Sequence, residues 1–451
     1  MTKIENEKNN EVDWLNIVFN IAFQSYLDFG TLKEISLLSK FVRAKLNPKL
    51  FYNISLKANR KHVNGKIEKF YNVSALSALT RHISSNSDKL QKSISIEKAL
   101  NNINYEVQNI IIFVSSLYLK SLDRIGYYLF SIFKSFDSLS LLNITGTTIP
   151  YTLLINLGLL IPNLKSFELI STTLVKLPTD RLISNSIIFP PSLSYLNISR
   201  VEVTELGLLS DPFEYLFSEG HAKNSYSFTP PKILLPSLKK LIFAEYNETK
   251  SGLEEFLHIN PCLESLKTET IYLDKVYNIN SLKSLETDMV ECLNGDIKFT
   301  SQESIEELTT FVNIDTYENV AKLCLLCPNL EKLRFSIDCH KFSQHSFDRF
   351  LISVMSNLPK LKTFHLEIYT DDHDVLNINK FSYIENIIIE TKCINLSNIK
   401  FEKSKNLKNI EFKSLSFRNN ELKQEFVKLC NKFKNWEFKS RNHSIKGYKI
   451  N

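Results

Sequence analysis

The stretch Cys327-Pro-Asn-Leu-Glu-Lys-Leu-Arg-Phe-Ser336 decides the fold, because the same pattern returns along the chain with its details changed. The pattern is an apolar residue, two variable residues, a second apolar residue, one variable residue and a third apolar residue. Its last two apolar residues have the spacing of one face of a β-strand, and the proline ends any helix that precedes it. Each copy therefore predicts a turn that leads into a short strand. Further copies begin at Pro162, Pro191, Pro236, Pro261 and Pro359.

The copies recur at a nearly regular interval. We take the first apolar residue of each copy as its anchor, which gives Leu139, Leu164, Leu193, Leu238, Leu263, Leu282, Ile305, Leu330, Leu361, Ile384 and Leu407. The steps between anchors are 25, 29, 45, 25, 19, 23, 25, 31, 23 and 23 residues. Most of them match the period of leucine-rich repeats, roughly 20 to 29 residues. The step of 45 residues indicates an insertion, which we assign to 205–232.

The length of the chain agrees with a repeat architecture. A single compact core stops growing at about 250 to 300 residues, and this chain has 451. Parallel strands need crossover connections, and helical patterns recur between the predicted strands. We therefore predict an α/β leucine-rich-repeat solenoid, with parallel strands on the concave face and helices on the convex face. The predicted helices are Pro150–Leu160, Gly252–His258, Thr316–Leu326, Ser346–Ser356 and Leu422–Phe433.

The chain before the regular repeats divides into three parts. Residues 1–11 are polar and predict a disordered tail. Residues 12–52 predict a small all-α unit, because apolar residues recur at spacings of three and four. Residues 53–135 are assigned to irregular first repeats, with strands at Leu90–Ile96 and Ile110–Leu119 and a helix at Leu122–Phe133. The regular solenoid then covers 136–440, and a basic tail covers 441–451.

The helical unit resembles the second half of an F-box, the short motif that docks on the Skp-type adaptor of cullin-RING (SCF) ubiquitin ligases. The resemblance rests on Ser25-Tyr-Leu-Asp28, Thr31-Leu32, Ile35-Ser-Leu-Leu-Ser-Lys40 and Val42-Arg43. Asp13-Trp14 stands where the motif usually opens with Leu-Pro. An F-box ahead of leucine-rich repeats is a known architecture, and the repeat spacing resembles that of the ribonuclease-inhibitor-like class. The resemblance implies adaptor contacts at Leu27, Leu32, Ile35, Leu38 and Val42. The alternative is a helical cap that closes the first repeat.

The repeats also predict a binding surface for a second protein. Within each copy the second and third apolar residues face the core, so the residues between and after them face the concave wall. The side chains placed there are chemically mixed, which suits recognition of a macromolecule. We predict that target-binding residues include Tyr195, Asn197, Lys267, Glu269, Glu286, Asp288, Lys332, Arg334, His365 and Glu367.

Charge is unevenly distributed along the chain, although its net value is only +6. Residues 245–318 contain 16 acidic and 5 basic residues, whereas 400–451 contain 14 basic and 5 acidic residues. The register predicts that Glu269, Glu286 and Asp288 form one acidic patch, which favours a partner with a basic segment. Nucleic-acid binding through the basic C-terminal part is less favoured, because no recognisable module supplies aromatic platforms.

Motifs of enzymes are missing from the sequence. It contains no Gly-x-Ser-x-Gly, no phosphate-binding glycine loop and no His-Glu helix motif, and only 10 glycines in all. We therefore predict no catalytic residue and no cofactor. Cys324 and Cys327 have the spacing of a metal or redox pair, but no second pair follows, and core packing is favoured. His340, His345 and 371–374 are assigned to solvated turns, so no metal site is predicted.

The sequence favours an intracellular protein, cytoplasmic or nuclear or both. No apolar run approaches the roughly 18 to 20 residues of a membrane helix, and Met1–Leu15 lacks the apolar centre of a signal peptide. Seven cysteines without a secretion signal favour reduced thiols. The function predicted is substrate recognition in an SCF-type ubiquitin ligase, in which the helical unit binds the adaptor and the repeats bind the target. The alternative is a non-catalytic leucine-rich-repeat scaffold without a ligase link.

Overall fold

The computed structural model describes most of the chain, and the predicted tail 1–11 lies outside the described residues. The described residues are 14–57, 69–72, 86–129, 136, 138–178, 187–207, 215, 222–245, 252–273, 280–292, 301–338, 344–368, 376–381, 383–392, 399–441 and 443–450. The chain divides into two compact units, of which the first comprises 1–193 with 200–228 and the second 194–199 with 229–451.

The first unit opens with the predicted helical region. Its helices are α1 (Trp14–Phe19), α2 (Ile21–Ser25), α3 (Phe29–Ser36) and α4 (Lys40–Leu50). The side chains of Asn20, Asp28 and Ser39 accept backbone N–H groups at the starts of α2, α3 and α4. The bond from Thr31 N–H to Asp28 measures 2.7 Å, and it lowers the pKa of the Asp28 carboxyl. Caps at these three helices define the path of a segment whose helices are too short to be stable alone.

The strands that follow are mostly parallel. They are β1 (Asn53–Lys57), β2 (Lys69–Asn72), β3 (Ser116–Asp123), β4 (Leu141–Pro150) and β5 (Ser166–Ile170), in the spatial order β2-β1-β3-β4-β5. Helix α5 (Asn86–Gln108) stands where a strand at Leu90–Ile96 was predicted, so that prediction is wrong. Ile96, Leu100, Ile103 and Val107 have helical spacing, which outweighs the local alternation of Ile94 and Ile96. Two 3₁₀ turns flank β3, one at Ile111–Phe113 and the other at Arg124–Tyr127.

A second ladder branches from the first within this unit. The last residues of β4 pair with β6 (Thr173–Lys176), which pairs with β8 (Glu202–Leu206). Strand β7 (Tyr195–Ser199) belongs to the second unit. Each step between ladders uses a residue with positive φ that lies four residues after the first buried apolar residue of its strand. These residues are Ser121, Gly146, Ser171 and Arg200. Only glycine adopts this conformation without cost. Helices α6 (Tyr151–Ile155) and α7 (Leu157–Leu160) occupy the predicted helical segment.

The predicted insertion 205–232 contains a strand. Strand β9 (Ala222–Ser227) pairs with β8 in antiparallel register, so this part of the insertion is an ordered edge of the second ladder. Tyr215 is 7% exposed, packs against Val175 and Leu206, and its backbone carbonyl accepts a hydrogen bond from Arg124 at 3.2 Å. The described part of the insertion is therefore attached to the core and is not a simple surface loop.

The second unit is one continuous stack of parallel strands. In spatial order they are β7, β10 (Lys240–Ala244), β11 (Ser265–Tyr272), β12 (Ser284–Glu291), β13 (Glu307–Val312), β14 (Lys332–Ile337), β15 (Thr363–Ile368), β17 (Asn386–Thr391) and β19 (Asn409–Ser414). The short strands β16 (Leu376–Asn377) and β18 (Ile399–Lys400) pair separately. The helices are α8 (Leu253–Ile259), α9 (Tyr317–Leu326), α10 (Gln344–Ser356) and α11 (Asn420–Cys430).

The C-terminal residues close the last edge of this stack. Residues 441–451 were predicted to be a basic tail, but β21 (Ser444–Lys449) pairs antiparallel with β19 and with β20 (Trp436–Arg441). Ile445 is fully buried. A Cβ at Gly447 would lie 2.5 Å from the ring of Phe438, so only glycine fits at this position. The hairpin caps a strand edge that would otherwise be open to pairing with other chains.

The repeat assignment is confirmed by burial. Each of the eleven anchors is at most 3% exposed. In β11, β12 and β13 the third core position carries a buried threonine, and Thr268, Thr287 and Thr310 each donate to a backbone carbonyl. The structure is an α/β leucine-rich-repeat solenoid with an N-terminal helical segment. No helix among the described residues is both long and apolar enough to cross a bilayer.

Leu333→Ala and Lys332→Ala test the strand register. Leu333 is 1% exposed, whereas the side chain of Lys332 is 60% exposed and pairs with Glu307. The leucine substitution should lower the free energy of unfolding by roughly 2 to 5 kcal/mol, because it leaves a cavity. The lysine substitution removes an exposed ion pair worth about 0 to 1 kcal/mol. Chemical denaturation measures both losses, and equal losses would show that the assigned register is wrong.

Candidate functional site

The predicted adaptor-binding residues separate into core and surface. Leu32 and Val42 are 0% and 5% exposed and form a core cluster with Leu46 and Leu50, against which Leu27 and Ile35 pack. Leu38 is 76% exposed. Leu32 and Val42 were predicted to touch a partner, but as core side chains they offer almost no surface to one while the helices stay folded. Leu38 remains available for contact.

The surface of the same helical region is unusually apolar. Large apolar side chains between half and nine-tenths exposed are found at Trp14, Ile21, Tyr26, Leu37, Leu38, Phe41 and Tyr52. We call this set the apolar surface. A cleft of about 570 Å³ next to it is lined by Phe19, Ile21, Gln24, Tyr52 and four neighbours. Exposed apolar groups concentrated in so short a segment are typical of an interaction site.

Side chains of the second unit alternate between core and solvent as the sequence predicted. On β14 and β15 the aligned pairs are Lys332 with Thr363, Arg334 with His365, and Ser336 with Glu367. We call the solvent-facing side of the stack the wall. Tyr195 lies on it half-buried. Asn197 is only 6% exposed and accepts a hydrogen bond from the Ser199 hydroxyl at 2.5 Å, so it offers little surface to a partner.

The acidic part of the wall differs from the predicted patch. Lys267 lies opposite Glu286 and forms an ion pair with it at 2.5 Å, so the charge of Glu286 is largely balanced. Glu269 and Asp288 are neighbours in the aligned strands. Glu245, which was not predicted, follows β10 and approaches Glu269. Burial, and then the charge of Glu269, raise the pKa of the Glu245 carboxyl to about 7. The acidic patch therefore consists of Glu245, Glu269 and Asp288.

The next part of the wall is a network of paired charges. Glu367 accepts hydrogen bonds from Arg334 and from the Ser336 hydroxyl, both at 2.8 Å. His365 Nε2 lies 3.2 Å from a carboxylate oxygen of Glu390. The pKa of His365 is lowered, chiefly by burial and also by the charges of Arg334 and Lys413, despite the opposing effect of Glu390. His365 is therefore neutral at pH 7, and its Nε2–H group donates a hydrogen bond to the Glu390 carboxylate. Such a network holds its side chains in defined orientations.

One edge of the stack carries ion pairs between neighbouring repeats. Their distances are 2.7 Å for Lys239–Glu264, 2.8 Å for Lys362–Glu331 and 3.0 Å for Lys408–Glu385. These side chains are largely solvent-exposed, so screening by water and salt keeps the contribution of each pair to stability small. Each of these six residues comes directly before the first residue of its strand. The pairs therefore link successive repeats in register and do not form a binding site.

The Cys324 and Cys327 pair belongs to the core, as the sequence favoured. The two side chains are 1% and 0% exposed. Burial raises the pKa of the Cys324 thiol well above its usual value and that of Cys327 to about 12. Neutral buried thiols are poor nucleophiles and poor metal ligands. In the described part of the chain no group of three His, Cys, Asp or Glu side chains is placed to hold a metal ion. The predicted turn residues His340 and 371–374, and the side chain of His345, lie outside that part.

Comparison with known proteins adds structural neighbours but no family. No family model matches the chain, and no curated protein matches it. A TLR13–ssRNA13 complex matches with 16% identity and a TM-score of 0.35, over 66% of this chain and 45% of that chain. The APL1 leucine-rich-repeat domain matches with 12% identity and a TM-score of 0.28, over 80% and 85%. A mouse RP105/MD-1 complex matches with 13% identity and a TM-score of 0.25, over 64% of both chains. The fold assignment rests on the strand pairing and buried anchors described above.

Glu245→Gln should change how stability depends on pH. A carboxyl whose pKa is raised on folding contributes stability that is fully present below its unfolded pKa of 4.5 and is lost as pH rises through about 7. The glutamine of the variant carries no charge at any pH. The stability of the variant should therefore match that of the wild type near pH 4 and exceed it near pH 8. Thermal denaturation across this range measures the difference. A constant difference between pH 4 and 8 would contradict the assigned environment of Glu245.

Proposed function

We propose that this protein is the substrate-recognition subunit of an SCF-type ubiquitin ligase. The apolar surface of α1–α4 would dock on a Skp-type adaptor, and the wall of the repeats would hold the protein to be ubiquitinated. The observation that carries the proposal is the apolar surface itself, a dense set of exposed aromatic and aliphatic side chains on a capped helical segment.

Folding of α1–α4 leaves the apolar surface exposed to solvent. Leu32, Val42, Leu46 and Leu50 already form the core of the helices, so the apolar surface is not needed to hold them together. Fully burying one large apolar side chain is worth about 1.5 to 3 kcal/mol. Tryptophan and tyrosine, both present here, are enriched among the residues that dominate binding energy. The resemblance of Ser25–Arg43 to an F-box names the partner, and the exposed side chains supply the contact.

The mechanism would be positioning without catalysis by this chain. Holding the target and the adaptor on one molecule raises the effective concentration of the target near the ubiquitin-loaded enzyme. The paired charges of the wall suit this role, because charge complementarity mainly sets orientation and the rate of capture. The second candidate is a scaffold without a ligase link, in which the helices only cap the repeats. The burial of Leu32 and Val42 agrees with that candidate as well.

Leu38→Asp separates the two candidates. Leu38 is 76% exposed, so a charge there is solvated in the free protein and the helices should stay folded. In a complex that covers Leu38 the same charge would be desolvated without a partner, which costs several kcal/mol. We expect a pull-down with purified Skp-type adaptor to recover the wild type and to lose the variant more than ten-fold, roughly 1.4 kcal/mol or more.

Ile94→Asp is the matched control, because Ile94 is 59% exposed on α5 of the same unit, outside the helical region. This variant should bind the adaptor normally. Leu32→Asp reports on folding, because it buries a charge in the core and should reduce helical circular dichroism with or without the adaptor. Equal recovery of Leu38→Asp and wild type, or failure of the wild type to bind, would favour the scaffold.

A further inference from the structure

A pocket of about 750 Å³ lies at the C-terminal end of the wall. Its base is made by the ends of β15, β17 and β19. One side is formed by the 3₁₀ turn Leu415–Arg418, and the other by Arg441 at the end of β20 together with His443 and Ser444 at the start of β21. The pocket thus exists because the C-terminal hairpin folds back beside β19. All of its residues belong to the second unit.

Every carboxylate of the base has a basic or hydrogen-bonding partner. Glu367 is bonded by Arg334 at 2.8 Å, Glu390 by His365 at 3.2 Å with Lys413 at 3.8 Å, and Glu411 by Lys446 at 3.0 Å. The side chain of Glu411 is only 16% exposed, and that of Glu367 only 17%. The negative charges at the base are thus balanced within the protein and are partly shielded from a ligand.

The rim of the pocket carries the opposite charge. Lys392, Arg418 and Arg441 are exposed, and none of them forms an ion pair with a carboxylate in the part of the chain that the structure describes. The lining contains three carboxylates and four lysine or arginine cations, and Arg334 and Lys446, which pair with Glu367 and Glu411, add two further cations. The local charge is therefore positive, in contrast to the acidic patch near Glu245. Two arginines at one opening are well suited to bind carboxylates, since each guanidinium donates in a planar fork.

The apolar part of the lining is aliphatic, and the other uncharged lining residues are Thr391, Ser414, His443 and Ser444. Ile368 lies at the end of β15, and Leu415 on the rim is 60% exposed. No phenylalanine, tyrosine or tryptophan lines the pocket among the described residues. Single-stranded nucleic acid is usually bound by aromatic side chains that stack on its bases. The combination of arginines and an aliphatic side chain, with His443 as the one aromatic ring of the lining among the described residues, therefore favours a peptide.

We propose that this pocket binds an acidic segment of a partner protein, with Arg418 and Arg441 bonding its Asp or Glu side chains and Leu415 contacting a neighbouring apolar residue. This inference deepens the proposed function, because it assigns an acidic character to a segment of the protein that the wall would hold. It rests only on the proposed binding of a target protein by the wall. It does not depend on the adaptor. A target engaged along the whole wall would present its basic part to the acidic patch and its acidic part to this pocket.

The test uses the full chain and a fluorescein-labelled ten-residue peptide of glutamates with interspersed leucines. A matched peptide has every glutamate replaced by glutamine, and a labelled ten-residue oligouridylate represents nucleic acid. Fluorescence anisotropy at low salt measures binding by the wild type, by Arg418→Gln/Arg441→Gln and by Lys405→Gln/Lys432→Gln. The last variant removes the same number of exposed positive charges from the second unit, outside the pocket lining. Circular dichroism confirms that both variants are folded.

The wild type should bind the glutamate peptide, and bind the glutamine peptide at least ten-fold more weakly. Loss of two charge-assisted hydrogen bonds should weaken binding of the glutamate peptide by the arginine variant by about ten-fold or more. The lysine variant should stay within two-fold of the wild type. Equal weakening in both variants, equal binding of both peptides, tighter binding of oligouridylate than of the glutamate peptide, or no binding at all would overturn the proposal. None of these outcomes bears on adaptor docking, which the Leu38→Asp experiment tests separately.

Discussion

The burial of one anchor per repeat is the constraint on which the stacking of the repeats depends. A strand with a single returning helix or turn cannot enclose a core of its own, so each repeat must bury its apolar face between its neighbours. The eleven anchors are at most 3% exposed, and the parallel strands that follow them pair residue by residue. Because side chains alternate along a strand, burying one set places the intervening set on the wall.

The functional features of the wall follow from that register. It sets Lys267 opposite Glu286 and brings Glu390 within reach of both His365 and Lys413. Most wall charges are thereby engaged within the protein. Among the described residues, two sets of exposed side chains lie close together in the fold or the sequence, the apolar surface of α1–α4 and the basic rim of the C-terminal pocket. The first suits a permanent partner that buries apolar area, and the second suits capture of an oppositely charged segment.

The repeats were predictable from sequence, whereas the sites were predictable only in part. Anchors and strand faces follow from a short apolar pattern that needs no knowledge of neighbours. The helix α5 was missed because Ile94 and Ile96 alternate like a strand inside a longer helical pattern. Leu32 and Val42 were predicted to contact a partner, although they lie in the core. The periodicity of a sequence shows which residues of a short helix are apolar, but it does not show which apolar face the rest of the protein covers. The alignment of Lys267 with Glu286 follows from the anchors, because each residue lies four positions after its own anchor, Leu263 or Leu282. The pocket depends on the hairpin β20–β21 folding back beside β19, which leaves no local signal in the sequence.

The register is tested most directly by exchanging the charges of one aligned pair. Lys267→Glu and Glu286→Lys each place two like charges opposite one another on β11 and β12, so each single variant should have a lower denaturation midpoint than the wild type. The double variant restores an opposite-charge pair, and the account predicts that its midpoint returns close to that of the wild type, with a coupling energy of about 0.5 to 1 kcal/mol. Losses that simply add in the double variant would show that the two side chains do not face each other, and would contradict the stacking from which both candidate surfaces of the repeats are derived.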